Sequence, residues 1–520
     1  MSGGSAFHHH HDHQHGGACC MLHMIALGFP AGNNGQTEEA PPSFLDETPK
    51  EVSTFCRDTA RAGEPFVRQP SQTEPILIRN VSVLTMTETG RLEHHDVLVR
   101  GNRIAKVAPT GGIDSAGALV IDSTGRFLAP GLCDMHTHVL TVNWTEAMQP
   151  MAGMQDRPRE TLTLPMGLAL LQYLVAGITR IEVMAGDPDM AHLRDLVAAG
   201  EIVGPRMRVA GPLIDGPMAI QSAKMSWRVG DAAGGKRAAE LIAQLGYDFA
   251  KPYSNLPAEA YAALLEECEA RGIPVLGHMP IAVGPEAISA SGRQDIAHAG
   301  EFFWWLADPE RSDPERMKRL AQNVAASGRY VQATVQVSGR MELFMAGKSA
   351  ADFPDTQFCN PMINAMYAPD GSAKAAIEAM PHVADLIRDA DALSKRMTRA
   401  LNEAGVTLVT GTDAPNAFLA EGFSLHEEIA AMVSDCGLTN EEALAVLTAN
   451  PAKVLGEKDQ GKVAEGALAD LVLLDADPLD DITATRAIHA VIANGALIDN
   501  ANLQAGRRAI LDAYAAMPVG

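Results

Sequence analysis

The sequence predicts an α/β protein built on a (β/α)8 TIM barrel. Two observations predict it. Between about residues 131 and 455, strand-like and helix-like segments alternate roughly eight times, the pattern of βα units around a parallel sheet. The strand-like segments also close on histidine, lysine and aspartate, and the chemistry of a parallel barrel collects at the C-terminal ends of its strands.

The elements follow in order. "LTLPMGLALLQYLVAG" is helical in pattern and "ITRIEVMAG" strand-like. "RMRVAGPLI" is a strand, "GKRAAELIAQLGY" a helix and "DFAKPY" a short strand. "PAEAYAALLEECEARG" leads into "IPVLGH", "GPEAISASG" into "QDIAHAG", and "ADALSKRMTRALNEAG" into "VTLVTGTDA". Both flanks have another texture. "PILIRNVSVLTM" and "DVLVRGNRIAKVAP" before the barrel, and "GKVAEGALADLVLLDADP" and "AIHAVIANGALI" after it, are β-branched runs broken by Asn-Gly type turns.

The chain of 520 residues is too long for one small core. Its composition, 47% hydrophobic and 20% charged, is that of a soluble globular protein. A net charge of −23 argues against nucleic acid or an anionic membrane as partner. No apolar run reaches transmembrane length, and the N-terminus lacks the basic region of a secretory signal. Seven cysteines without CxxC pairs suggest no disulfide framework. A cytoplasmic protein, as a homo-oligomer acting on a small molecule, is expected. Seven of the 17 histidines fall in the first 23 residues. Residues 1–70 are expected to form a disordered His-rich tail, in part tag-like; loose metal binding or metal storage is the other reading.

"APGLCDMHTHVL" sets His136 and His138 at i and i+2, which places both rings on one face of a strand. One point that takes two imidazoles is most simply a metal ion; two exposed histidines at a strand end is the plainer reading. Lys251 in "YDFAKPYS", His278 in "IPVLGHMP", His298 in "QDIAHAG" and Asp413 in "VTLVTGTDAP" occupy equivalent strand ends. Alone, Lys251 reads as a salt-bridged lysine and Asp413 as a turn or helix cap. Together the six point to one metal site.

This order of motifs resembles the amidohydrolase superfamily, over roughly residues 75–500. "APGLCDMHTH" is similar to its PG-x-x-D-x-H-x-H signature, and "NPAKVLG" with "GKVAEGALADLVLLDADP" to its C-terminal block. The resemblance implies a barrel at 131–455 and a small β-sandwich domain from both chain ends, 71–130 plus 456–505. It implies that His136 and His138 bind one metal, that Lys251 is carboxylated and bridges two, and that His278 and His298 bind the second. Asp413 would ligate the first metal and act as the catalytic proton carrier. The chemistry agrees: an ammonium repels a dication, whereas a carbamate offers two anionic oxygens. Two metals acidify a bridging water to hydroxide. The donor set suits zinc, with manganese, cobalt or iron as alternatives. Asp134, in the same signature, reads as supporting structure.

Two departures stand out. Relatives of the dipeptidase-like group carry an Arg-Asp pair where this chain has Glu182 and Val183, and Ala250 and Pro252 replace the aliphatic residues flanking the lysine. Deaminases of the superfamily place a glutamate three residues after the fifth-strand histidine; here Ile281 stands there. The pattern looks most like the prolidase- or dipeptidase-like and imidazolonepropionase-related members. These imply cleavage of an amide bond in a small, partly apolar substrate, such as a peptide or N-acyl amino acid, by a metal-bridging hydroxide. Lactone, carbamate or ester hydrolysis on the same metal pair, and a non-catalytic scaffold, are the alternatives. For substrate contacts, Tyr253 shares a strand face with Lys251, and Phe303 and Trp304 lie in "EFFWWLADPE" just after His298. These aromatics form either an apolar pocket or packing and interface surface. The long segment with Met341, Met345, Met362 and Met366 is either a lid or ordinary barrel decoration.

Overall fold

Seven short parallel strands and the helices between them carry the site. In this computed structural model, Leu132–Thr137, Ile178–Val183 and Arg206–Val209 pair in parallel as one sheet. Leu276–Gly277, Asp295–Ala297, Val331–Gln332 and Leu408–Val409 form a second parallel sheet. The structure describes residues 48 and 50–519, except 72, 218, 220 and 379–382. The stretch around Phe249–Pro252 joins the two sheets through parallel bridges from Ala210 to Phe249 and from Ala250 to Val275. At the other edge, Met135 N donates to Thr410 O (2.9 Å) and Asp413 N to His136 O (2.7 Å).

Helices separate these strands: Met166–Val175, Pro188–Ala199, Ala232–Gln244, Ala258–Arg271, Pro285–Ser291, Pro314–Ser327 and Val383–Glu403. Their ends follow local chemistry. Asp187, Asp231 and Asp313 accept from first-turn amides, and Gly200, Gly272 and Gly328 close helices in the left-handed conformation. Cys133, Met135, Met184, Ala210, Phe249, Leu276, Tyr330 and Val409 form an apolar cluster apart from the main core.

Strands from both chain ends make one eight-stranded mixed sheet, in which Phe127–Pro130 pairs antiparallel with Leu471–Leu474 and parallel with Ile76–Leu84. Its core, including Ile78, Val81, Val97, Leu471 and Ile492, is its own. Asn494 and Gly495, both at positive φ, form a two-residue turn between Ala493 and Ala496, the turn that Asn-Gly favours.

The fold starts earlier than the sequence predicts. Residues 50–70 do not behave as a tail. Helix Thr54–Thr59 buries Cys56, and Ser53 caps it while bonding Asp189 through both N and Oγ. The docking is close because Gly167 has no side chain: a Cβ there would lie 2.5 Å from Ala62 N. The His-rich tract itself lies outside the described residues. At the other end, Asn500–Ala515 forms a helix past the last strand, packed on Met166–Val175. Among the described residues, no helix is long and apolar enough to cross a membrane.

Candidate metal centre

A register shift between Asp134 and Thr137 breaks the regular pairing of the first parallel strand just where His136 stands. His136 and His138 both reach Asp413. Their Nε2 atoms lie 3.3 and 3.0 Å from Asp413 Oδ1. Lys251 Nζ is 3.4 Å from His136 Nε2. The His298 ring packs 4.4 Å from His136 and 4.8 Å from His278, centroid to centroid. All six predicted residues are therefore in one cluster. His136, His298 and Asp413 hold donor atoms within 4.8 Å of one another, a spacing that suits a metal ion.

The backbone is strained here. His298, Thr334 and Asp413 adopt φ of 66°, 47° and 49°, the left-handed region that non-glycine residues seldom occupy. His298 directly follows its strand and Asp413 lies four residues past Leu408–Val409, both in this conformation, and their side chains meet His136.

Burial pushes His136 down to about 3, with the Lys251 charge adding to it, and burial also lowers His138 and holds His298 well below its ordinary value. All three imidazoles are neutral at pH 7. Burial works against ionisation of Asp413, but the contacts with His136, His138 and His298 bring its carboxyl well below the usual range. Neutral imidazoles and a carboxylate are the ligand forms of these side chains.

The partners behind the cluster were not foreseen. Gln332 Oε1 is 2.8 Å from His136 Nδ1. Thr334 Oγ1 is 2.7 Å from His298 Nδ1. Ser254 Oγ and Glu301 Oε1 lie 3.1 and 3.2 Å from His278 Nδ1. With its Nδ1 so engaged, His136 turns Nε2 towards an anionic oxygen at 3.3 Å. Two lone pairs facing each other at that distance fit a shared cation between them. His298 Nε2, buried and without a hydrogen-bond partner, also suits a ligand.

Asp134 supports rather than joins the cluster. It accepts from Thr412 Oγ1 (2.8 Å), Thr412 N (3.0 Å) and His136 N (3.3 Å), and burial raises it to about 7. Two glycines let the strands approach. A Cβ on Gly411 would lie 2.2 Å from His136 N, and one on Gly277 2.5 Å from Pro252 O and 3.0 Å from Lys251 Cγ.

The aromatic candidates divide. The Tyr253 ring packs against His278, centroids 4.1 Å apart and tilted by 35°, inside the cluster. Phe303 is fully buried, edge-on to Trp304 and 3.6 Å under the Arg311 guanidinium, so its faces are taken up by packing. Trp304 is half-buried against the main core. The Met-rich segment folds into helices Gln336–Met345 and Pro361–Met366, with Met341, Met362 and Met366 in the main core, which favours barrel decoration over a lid.

Residues 127–498 match the amidohydrolase family. An imidazolonepropionase of Anaeromyxobacter dehalogenans (strain 2CP-1 / ATCC BAA-258) is 27% identical over 429 residues, 77% of this chain and 90% of that protein. The crystal structure of a putative prolidase from Bifidobacterium longum superposes with a TM-score of 0.62 at 20% identity, covering 84% of this chain and 99% of the other. A bottromycin amidohydrolase superposes with a TM-score of 0.64 at 22% identity, covering 89% and 94%. The family match spans well over half of the sequence and includes all six clustered residues, so the chain belongs to the amidohydrolase family and is a hydrolase of carbon–nitrogen bonds.

Proposed function

We propose that this chain is a binuclear metal-dependent amidohydrolase that cleaves an amide bond in a small, partly apolar substrate. The observation that carries the reading is the convergence of His136 Nε2 and His138 Nε2 on Asp413 Oδ1, beside the buried Lys251 and His298. The parallel strands close into a (β/α)8 barrel over residues 131–455. Support comes from the bridges through Phe249 and Ala250 and from the hydrogen bonds joining the last strand to the first. The separate core of the mixed sheet supports a second domain, a β-sandwich from 71–130 and 456–505.

His136, His138 and Asp413 would hold one divalent ion, zinc by donor type, and His278 and His298 a second. Lys251 would join both after its neutral amine adds CO2, forming a carbamate and releasing one proton. When bound, the ions supply an acidified water and polarise the scissile carbonyl. Asp413 would leave Oδ1 to the ion, take the water's proton on Oδ2 and deliver it to the departing nitrogen as the carbon–nitrogen bond breaks. Tyr253, against His278, gives the substrate an aromatic wall. The names imidazolonepropionase and prolidase among similar proteins support a small amide substrate.

The test is a screen of Xaa-Pro and other dipeptides, N-acyl amino acids and lactones with zinc- or manganese-loaded protein. Turnover of at least one amide, abolished by chelation, is expected. Turnover of lactones alone would replace the amide reading by an ester-type one. No turnover together with no bound metal would leave the scaffold reading.

A further inference from the structure

Behind His136 lies a buried polar chain that leads away from the cluster. Gln332 and Glu182 are fully buried. Gln332 Nε2 donates to Glu182 Oε2 at 2.9 Å and to the Met135 carbonyl, and Glu182 pairs with Arg208. The Met135 carbonyl can only accept, so it fixes which atom of Gln332 is the nitrogen. Its oxygen must then face His136 at 2.8 Å, and only an N–H at Nδ1 satisfies it. That tautomer leaves the Nε2 lone pair for the cluster.

We propose that Gln332 is a positioning residue for His136, and that Glu182 and Arg208 anchor it so that His136 presents Nε2 as a metal donor. Glu182 thereby gains a role at the position where the resemblance to dipeptidase-like relatives breaks down. It lies on the adjacent strand, and its carboxylate connects to His136 through the amide of Gln332. The inference rests on the metal reading above.

The experiment titrates Zn2+ alone into metal-free wild type, Gln332→Met and Glu182→Gln against a chromophoric chelator, with thermal melts of the metal-free proteins alongside. Gln332→Met keeps the length of the side chain and removes its hydrogen bonds to His136, Glu182 and the Met135 carbonyl. It should weaken Zn2+ binding by about 10- to 100-fold, the usual effect of losing a partner of a ligating histidine. Glu182→Gln keeps an acceptor for Gln332 and should lose less. Gln332→Asn, too short to span both partners, carries the same expectation if the Met variant does not fold. Zn2+ affinity in Gln332→Met within twofold of wild type overturns the inference alone. A wild type that binds no Zn2+ overturns the metal reading and the inference with it.

Discussion

Gly411→Ala isolates how tightly the His136 strand depends on the strand of Asp413. A Cβ at position 411 would sit 2.2 Å from His136 N and 2.6 Å from both its Cα and Cβ. Comfortable carbon contacts begin near 3.5 Å, so the two chains must part by roughly 1 Å. The obstructing atoms belong to the His136 backbone and Cβ, so no rotamer change relieves the clash. The hydrogen bonds Met135 N to Thr410 O and Asp413 N to His136 O resist the parting at either side. Overpacking of this kind costs about 1–3 kcal/mol of stability. A reacting group displaced by about 1 Å costs on the order of 100-fold in turnover. Thermal denaturation, Zn2+ affinity and turnover of the substrate found by screening measure both effects. Gly300→Ala is the control. It lies two residues after His298, but its Cβ would meet only Ser394, at 3.6 Å, and it should behave as wild type. A Gly411→Ala protein with wild-type Zn2+ affinity and turnover would refute the reasoning.

Lys251→Ala should lose the second ion and all but a residual turnover, because the carbamate oxygens proposed to join the two ions go with the side chain; full activity would exclude a bridging role. Burial holds Glu421 up at about 8, against 4.5 for the free side chain, so the folded chain keeps a proton that the unfolded chain releases. That contribution to stability is complete below about pH 4.5 and is lost as the pH rises to 8. The thermal midpoint of wild type should therefore fall more steeply between pH 5 and 8 than that of Glu421→Gln, and equal slopes would contradict the buried, protonated carboxyl.

The six residues of the cluster were legible because each lies at or just beyond the end of a strand-like run, and a parallel sheet sends its strand ends to one side. The same rule applied to "YVQATV" would have found Gln332 and Thr334, but amide and hydroxyl side chains carry no metal-ligand signal of their own. Glu301 stands three residues after His298, yet its approach to His278 depends on the turn that the positive φ of His298 sets up. Gly277 and Gly411 were silent for another reason: a glycine's importance lies in what comes near it, and the neighbouring strands are over a hundred residues away for Gly411 and His136. Phe303 shows the opposite limit. An aromatic run next to His298 suggests a pocket, but only the position of Arg311 shows that the Phe303 ring is already covered. Residues 50–70 looked like a tail because one buried Cys56 and a serine cap are weak signals without Asp189 beside them.

Metal content decides the central claim most directly. Elemental analysis of protein saturated with Zn2+ and freed of excess should give about two ions per chain for wild type and fewer for Lys251→Ala and His298→Ala. A folded wild-type chain that retains no divalent ion, with its thermal midpoint unchanged by chelator, would contradict the account.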